Sequence, residues 1–443
     1  MSQSPESALL LEPGEEDRVY AKVGRRLLPL LLLCYTFAYL DRVNIGFAKL
    51  QMQQDIPGLD EAAFGLGAGL FFIAYACLEI PSNLLMHRIG ARRTITRIMV
   101  LWGLASAAMM FVRDPASFYV LRILLGIFEA GFAPGIILYL TYWFPARRMA
   151  AAMGIYMLAG PIGSMFGSLL SAFIIKYSHN LLGLAGWQWM FVIEGLPCVV
   201  LGIVFWKVMA DRPADSTWLD AREKQVVENA VADSEATGTH SFRDALKQPQ
   251  VHVMALAYFG IMCGIYATSF WLPTILKDNG MQSTFQIGLT TAVPYALSIV
   301  VIVLATRSSD RHRDRKWHSI VPTMIAVVAL VIAIFTASNF WVAFAAMTIC
   351  VCGVWTAYTV FWAVPTEHLG GTGAAGGVAY INTIGILGGF VAPYLIGLIK
   401  QQTGSTQWGL LSMVALLLVS LVALFLIRRA PVPAEDADRT SIE

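Results

Sequence analysis

The segment YTFAYLDRVNIG, Tyr35 to Gly46, places an acid and a base, Asp41 and Arg42, side by side inside an apolar run long enough to cross a membrane as a helix. A charged side chain at the centre of a bilayer costs about 2.5 to 3.5 kcal/mol on insertion scales, so such residues mark cavities, ion paths or buried partners. Asp41 and Arg42 lie about 21 Å along the first apolar run at 1.5 Å per residue. Glu129 belongs to a run of opposite direction and reaches a similar depth, about 18 Å from that run's outer end. Arg122 precedes Glu129 by two helical turns and so shares its face.

These residue types suit proton and anion chemistry. Arg42 stays protonated and presents a planar fork that matches a carboxylate bidentately. Asp41 and Glu129 can titrate: desolvation favours their neutral form, and a neighbouring guanidinium favours the charged one. An anion arriving at Arg42 would change that balance and couple proton uptake to anion uptake. Two carboxylates serve sodium as well as protons. In the competing reading Asp41 and Arg42 are an internal ion pair that only fastens helices. Tyr39, Tyr75, Tyr266, Trp362 and Asn382 are candidates to line the same cavity, although each taken alone is more often a packing residue. Glu79 and Glu194, nearer the ends of their runs, read as structural.

With 443 residues, 57% hydrophobic, 14% charged and a mean hydropathy of +0.63, the chain carries far too little charge for a soluble protein. It reads as an all-α polytopic membrane protein. Twelve runs of suitable length fall at about 27–48, 62–86, 94–112, 117–142, 149–175, 189–209, 252–276, 285–306, 318–336, 340–362, 371–399 and 406–427. Six precede and six follow a polar stretch, 210–251, which reads as a cytoplasmic linker between two six-helix halves, 27–209 and 252–428. Residues 1–26 and 429–443 read as cytoplasmic terminal segments. Of the 31 Lys and Arg residues, 24 then fall on the linker side and five on the other, the asymmetry expected of an inner-membrane protein with both termini in the cytoplasm. Basic loops recur at matching positions, HRIGARR after the second run and SDRHRDR after the eighth, as pseudo-symmetric halves would give. Pro134 and Pro161 interrupt the fourth and fifth runs, as hinges or as fixed kinks.

Other chemistries lack their residues. The cysteines Cys34, Cys77, Cys198, Cys263, Cys350 and Cys352 sit in apolar runs without metal-ligand spacing. The seven histidines lie in loops or at predicted span ends, and there is no Ser/His/acid arrangement or phosphate-binding loop. No enzyme activity, cofactor, metal or nucleic-acid partner is expected. The chain is expected to function as a monomer in the lipid bilayer.

Eight motifs in order, YLDRVNIGFA, EIPSNLL, LRILLGIFEAGFAPG, YWFPARRMA, GWQWMFVIEGLP, FWLPTIL, SDRHRDRKWH and AAGGVAYINTIGILGGFVAPYLIG, resemble the major facilitator superfamily and, within it, the anion:cation symporter family of organic-anion transporters. The resemblance covers nearly the whole chain. It implies proton-coupled import of a tartrate-, phthalate- or hexonate-like carboxylate by alternating access. It also implies that Arg42 binds the substrate carboxylate, Asp41 and Glu129 take protons, Arg122 tunes them, and Tyr39, Tyr75, Trp362 and Asn382 contribute to the pocket.

The chain departs from the superfamily pattern at Asn83 and His87, where a glycine and an aspartate are usual; the organic-anion family shares that Asn. It departs again at Ile386 and at Gly160 with Pro161, which make the pocket less polar and shift the expected substrate toward small dicarboxylates or aromatic acids. An exchanger or uniporter without proton coupling is the alternative, and a transporter-like metabolite sensor a second.

Overall fold

The computed structural model describes residues 14–235, 247–312, 314–368 and 371–428. The tail 429–443 and part of the expected linker, 236–246, lie outside the described residues, as do the first thirteen residues. Among the described residues, twelve helices are long and apolar enough to cross a membrane. The first six are Glu15–Asp55, Glu61–Met86, Ala91–Phe111, Pro115–Thr141, Arg147–Tyr177 and Gly186–Val208. The last six are Pro249–Asp278, Thr284–Arg311, Lys316–Phe335, Phe340–Pro365, Gly377–Thr403 and Thr406–Leu426.

The first helix begins at Glu15, well before the apolar run that announces it. Its first turns bury Val19, Tyr20 and Val23 on one side and are held by ion pairs on the other. Arg222 donates to Glu15 at 2.5 Å, Lys22 pairs with Glu223 at 2.6 Å, and Glu16 accepts from Arg147 at 2.6 Å and Arg148 at 3.1 Å. Arg222 and Glu223 belong to a linker helix, Ala221–Glu235, so the linker docks on the start of the first span. At the other end of the chain the Arg428 amide donates to Gln250 Oε1 at 3.0 Å. The linker and both described chain ends therefore share one end of the bundle, called the inner end below.

Four spans are broken, and the breaks match between halves. The fourth is Pro115–Glu129 and Phe132–Thr141, the fifth Ala146–Met157 and Ala159–Tyr177, the tenth Phe340–Phe361 and Ala363–His368, the eleventh Gly371–Ile386 and Gly388–Thr403. Proline explains three of them, because a proline has no N–H for the carbonyl four residues back. Pro134 releases Ala130, Pro161 releases Met157 and Pro365 releases Phe361, and each break falls within a residue of the released carbonyl. At Gly131 the chain turns through φ 86°, a left-handed conformation open to glycine, and its Cα lies against Ser82.

The halves meet along two seams, the second span against the eleventh and the fifth against the eighth. Small residues bring the backbones close: a Cβ on Gly65 would lie 2.4 Å from the Pro393 carbonyl oxygen. A Cβ on Gly154, in contrast, would meet nothing within 4 Å. Gly65→Val is therefore expected to cost about 1–3 kcal/mol by overpacking, and Gly154→Ala to be neutral or slightly stabilising. Thermal melts of the detergent-purified variants check this; equal stability of the two would contradict the seam.

Candidate functional site

The first span carries Arg42 into the middle of the bundle, where it does not pair with its neighbour Asp41. Arg42 Nη2 donates instead to Glu129 Oε1 at 2.5 Å, and both side chains are withdrawn from solvent. Its Nη1 donates to Tyr266 of the seventh span at 3.4 Å. The rings of Tyr39, Tyr75 and Phe71 stand 5.4, 5.6 and 5.8 Å from the guanidinium carbon. That geometry permits cation–π attraction from three sides. Arg42 Nε and Glu129 Oε2 have no hydrogen-bond partner among the described residues.

Asp41, one residue earlier and so about 100° around the helix, points to a different set of groups. Trp102 Nε1 donates to it at 2.7 Å, Asn44 Nδ2 at 3.1 Å, and Ser106 donates through its hydroxyl. The fastening ion pair between Asp41 and Arg42 is thus not formed: Arg42 finds its polar partners on the fourth and seventh spans, and Asp41 finds its own on the third span and at Asn44, one turn along the first. Glu194 is also fully buried, accepting from Ser171 at 2.8 Å. Arg122 shares its helix face with Glu129 but donates to the second span's backbone, to the Ala68 carbonyl at 3.0 Å and the Gly67 carbonyl at 3.3 Å, over the Phe71 ring.

The second half contributes an aromatic wall. Tyr39 reaches Tyr358 hydroxyl to hydroxyl at 3.3 Å and packs edge-on against Trp355. Trp355 occupies the space over Gly160, where a Cβ would lie 2.2 Å from its ring. Trp362, in the break of the tenth span, packs edge-on against Tyr258 at 4.8 Å. Asn382 donates to Glu79 Oε1 at 2.6 Å, joining the two halves.

All eight sequence-assigned residues, Tyr39, Asp41, Arg42, Tyr75, Arg122, Glu129, Trp362 and Asn382, are therefore in the bundle interior, but in distinct roles. Arg42, Glu129, Tyr39 and Tyr75 cluster directly; Asp41 and Arg122 are set one layer away. Glu79, read from its depth as structural, is buried and bonds across the halves. The signal for it was present, since Tyr75 and Glu79 are four residues apart and share a face. Trp355 and Tyr358 were missed although they and Trp362 recur at helical spacing.

At the outer end a second charged cluster ties the halves together. Lys49, buried over the Trp271 ring at 3.6 Å, pairs with Glu61 at 2.6 Å. Lys400 pairs with Glu61 at 3.2 Å and with Asp278 at 2.9 Å. Lys49 and Glu61 belong to the first half, Asp278 and Lys400 to the second. A cavity of about 660 Å³ between the ninth and tenth spans, lined by Met324, Val328, Ile332 and Trp341, is almost wholly apolar and lies away from both clusters.

Twelve spans in two halves, meeting around a buried charged site to which both contribute, form the architecture of a secondary transporter. The chain belongs to the Major Facilitator Superfamily, whose model matches residues 31–393. It is 44% identical over 424 residues to an Agrobacterium vitis protein provisionally named a tartrate transporter, covering 95% of this chain and 94% of that one. It is 40% identical to a Pseudomonas putida protein provisionally named metabolite transport protein NicT, covering 88% and 90%. A quinolone resistance transporter of Acinetobacter baumannii is 38% identical, covering 93% and 95%. Among solved structures, the partially occluded inward-open form of the Escherichia coli xylose transporter XylE superposes with a TM-score of 0.74 at 14% identity, covering 91% and 99%. That likeness concerns the fold. The protein is a multi-pass membrane transporter and not an enzyme.

The two ends of the outer cluster differ in burial, and this sets their expected energies. Lys49→Ala removes one partner of a buried pair, a change that costs about 3 kcal/mol or more, whereas Asp278→Ala breaks a half-exposed pair worth about 1 kcal/mol or less. Thermal melts should show a clearly larger drop for Lys49→Ala; equal drops would mean that Lys49 is not held as described.

Proposed function

We propose that the protein is a proton-coupled symporter that imports an organic carboxylate, tartrate-like in size, across a bacterial inner membrane by alternating access. The observation that carries this reading is the occupied state of Arg42. Its fork already holds Glu129 at 2.5 Å. A substrate carboxylate that takes Arg42 must displace Glu129 into a site with no second cation bonded to it. A buried carboxylate without its partner is strongly unfavourable, and taking a proton removes the charge. Anion binding and proton uptake at Glu129 are then one event.

The surrounding charge supports the same conclusion. Lys49 is matched by Glu61, which leaves, among the described residues, four buried acids, Asp41, Glu79, Glu129 and Glu194, facing two buried arginines, Arg42 and Arg122. An interior with that excess of acids admits a further anion only when protons accompany it. Asp41, buried with no cation bonded to it among the described residues, is the second proton site. Arg122, bonded to backbone carbonyls, holds the second and fourth spans in register beneath it. Tyr39, Tyr75, Trp362 and Asn382 line the pocket. The 44% identity to the Agrobacterium vitis relative supports tartrate as a first substrate to test.

A split in proteoliposomes is the expected outcome. Wild type should concentrate labelled tartrate when the outside is made acidic and should acidify a dye-loaded lumen. Glu129→Gln should still exchange label across the membrane but lose gradient-driven accumulation about tenfold or more. Arg42→Lys, which replaces the fork with a point charge, should lose both. Accumulation by Glu129→Gln at the wild-type level would contradict the assignment and favour an exchanger or uniporter.

A further inference from the structure

Among the described residues, proton coupling leaves two buried acids unused, Glu194 and Glu79, and Glu79 is the one that shares a helix face with Tyr75. It lies one turn past Tyr75, whose ring stands 5.6 Å from the Arg42 guanidinium carbon, and only 1% of its surface is exposed. Asn382 occupies Oε1 from the opposite half at 2.6 Å. Oε2 has no hydrogen-bond partner among the described residues, and neither have the Tyr75 hydroxyl and Trp362 Nε1. The pocket is therefore polarised along the second span, with a cation at Arg42 and a fixed, unoccupied acceptor at Glu79. Asn382 sets the rotamer of that acceptor, because its amide holds the other oxygen.

We propose that Glu79 is a specificity residue that accepts a hydrogen bond from a hydroxyl group carried by the substrate, so that the site selects hydroxylated carboxylic acids over unsubstituted dicarboxylates. This inference rests on the carboxylate-transport reading and names the substrate class within it. A hydroxy acid on Arg42 offers a donor to Glu79 Oε2, which meets the buried acceptor's demand. An unsubstituted dicarboxylate of the same length has no hydroxyl to give that oxygen and leaves the buried acceptor unpaired. The preference of the sequence for a less polar pocket, drawn from Gly160 and Ile386, is thereby reversed at the inner side of the site. Discrimination by a buried polar group is also the strong kind, since the wrong ligand leaves that group unpaired.

The test compares L-tartrate and L-malate with succinate as competitors of labelled tartrate uptake in proteoliposomes. Wild type is expected to take the hydroxy acids with at least a tenfold lower half-inhibitory concentration than succinate. Glu79→Gln keeps an acceptor for Asn382 but turns a donor into the pocket, and the ratio should fall about tenfold, partly through tighter succinate binding. Glu79→Asp, which retains the acceptor chemistry, should keep the preference for hydroxy acids. An unchanged ratio in Glu79→Gln overturns the inference alone and leaves carboxylate transport standing. Should that variant not fold, the wild-type ratio decides, and equal competition by tartrate and succinate overturns the inference. Absence of competition by all three acids overturns the carboxylate reading and this inference with it.

Discussion

A guanidinium buried in the middle of a membrane protein must be paired, and the pairing of Arg42 with Glu129 organises the rest of this structure. The cost of leaving either charge alone in that environment is several kcal/mol, so the first and fourth spans are bound to each other at this depth. The aromatic rings around Arg42 and the Tyr266 hydroxyl complete the shell from three further directions. In the proposed mechanism, what holds the helices together in the absence of substrate is the same interaction that substrate has to break. That double use would let a static ion pair serve as a coupling device without any further moving part in the site.

The breaks in the fourth, fifth, tenth and eleventh spans place irregular backbone beside that pair. Released carbonyls at Ala130, Met157 and Phe361 are tolerable because they lie inside the bundle. The outer ends of the halves are drawn together by Lys49, Glu61, Asp278 and Lys400, while the Glu79–Asn382 bond joins them at the site. Alternating access then requires these two polar connections to separate in turn, each at a cost that the other state must recover. The glycine-lined seams between the second and eleventh and between the fifth and eighth spans allow the close backbone approach on which such rocking depends.

Much of this was legible in the sequence, for physical reasons. Apolar runs of bilayer length identify twelve spans because water is absent from the bilayer core, and the charges inside them were conspicuous because they are expensive there. Depth could be counted along each helix, and so Arg42 and Glu129 were placed at one level. Rotation could not be read across helices. The adjacency of Asp41 and Arg42 in sequence suggested a shared site, whereas consecutive residues diverge by about 100° and the two acquire separate surroundings. Glu79 was read from its depth alone, because its partner, 303 residues away, is not visible in the sequence. The early start of the first helix was hidden because its first turns mix charged residues, ion-paired to the linker helix, with a short apolar stripe, Val19, Tyr20 and Val23, too sparse to read as a span.

The proposed coupling stands on the exchange of Glu129 for substrate at Arg42, and calorimetry reports that exchange directly. Tartrate binding to the purified protein would be titrated in two buffers of different ionisation enthalpy, which gives the number of protons taken up on binding. About one proton taken up by wild type and none by Glu129→Gln is the predicted result. Binding to both proteins with no proton uptake would contradict it, because substrate would then share Arg42 with a charged Glu129 instead of replacing it.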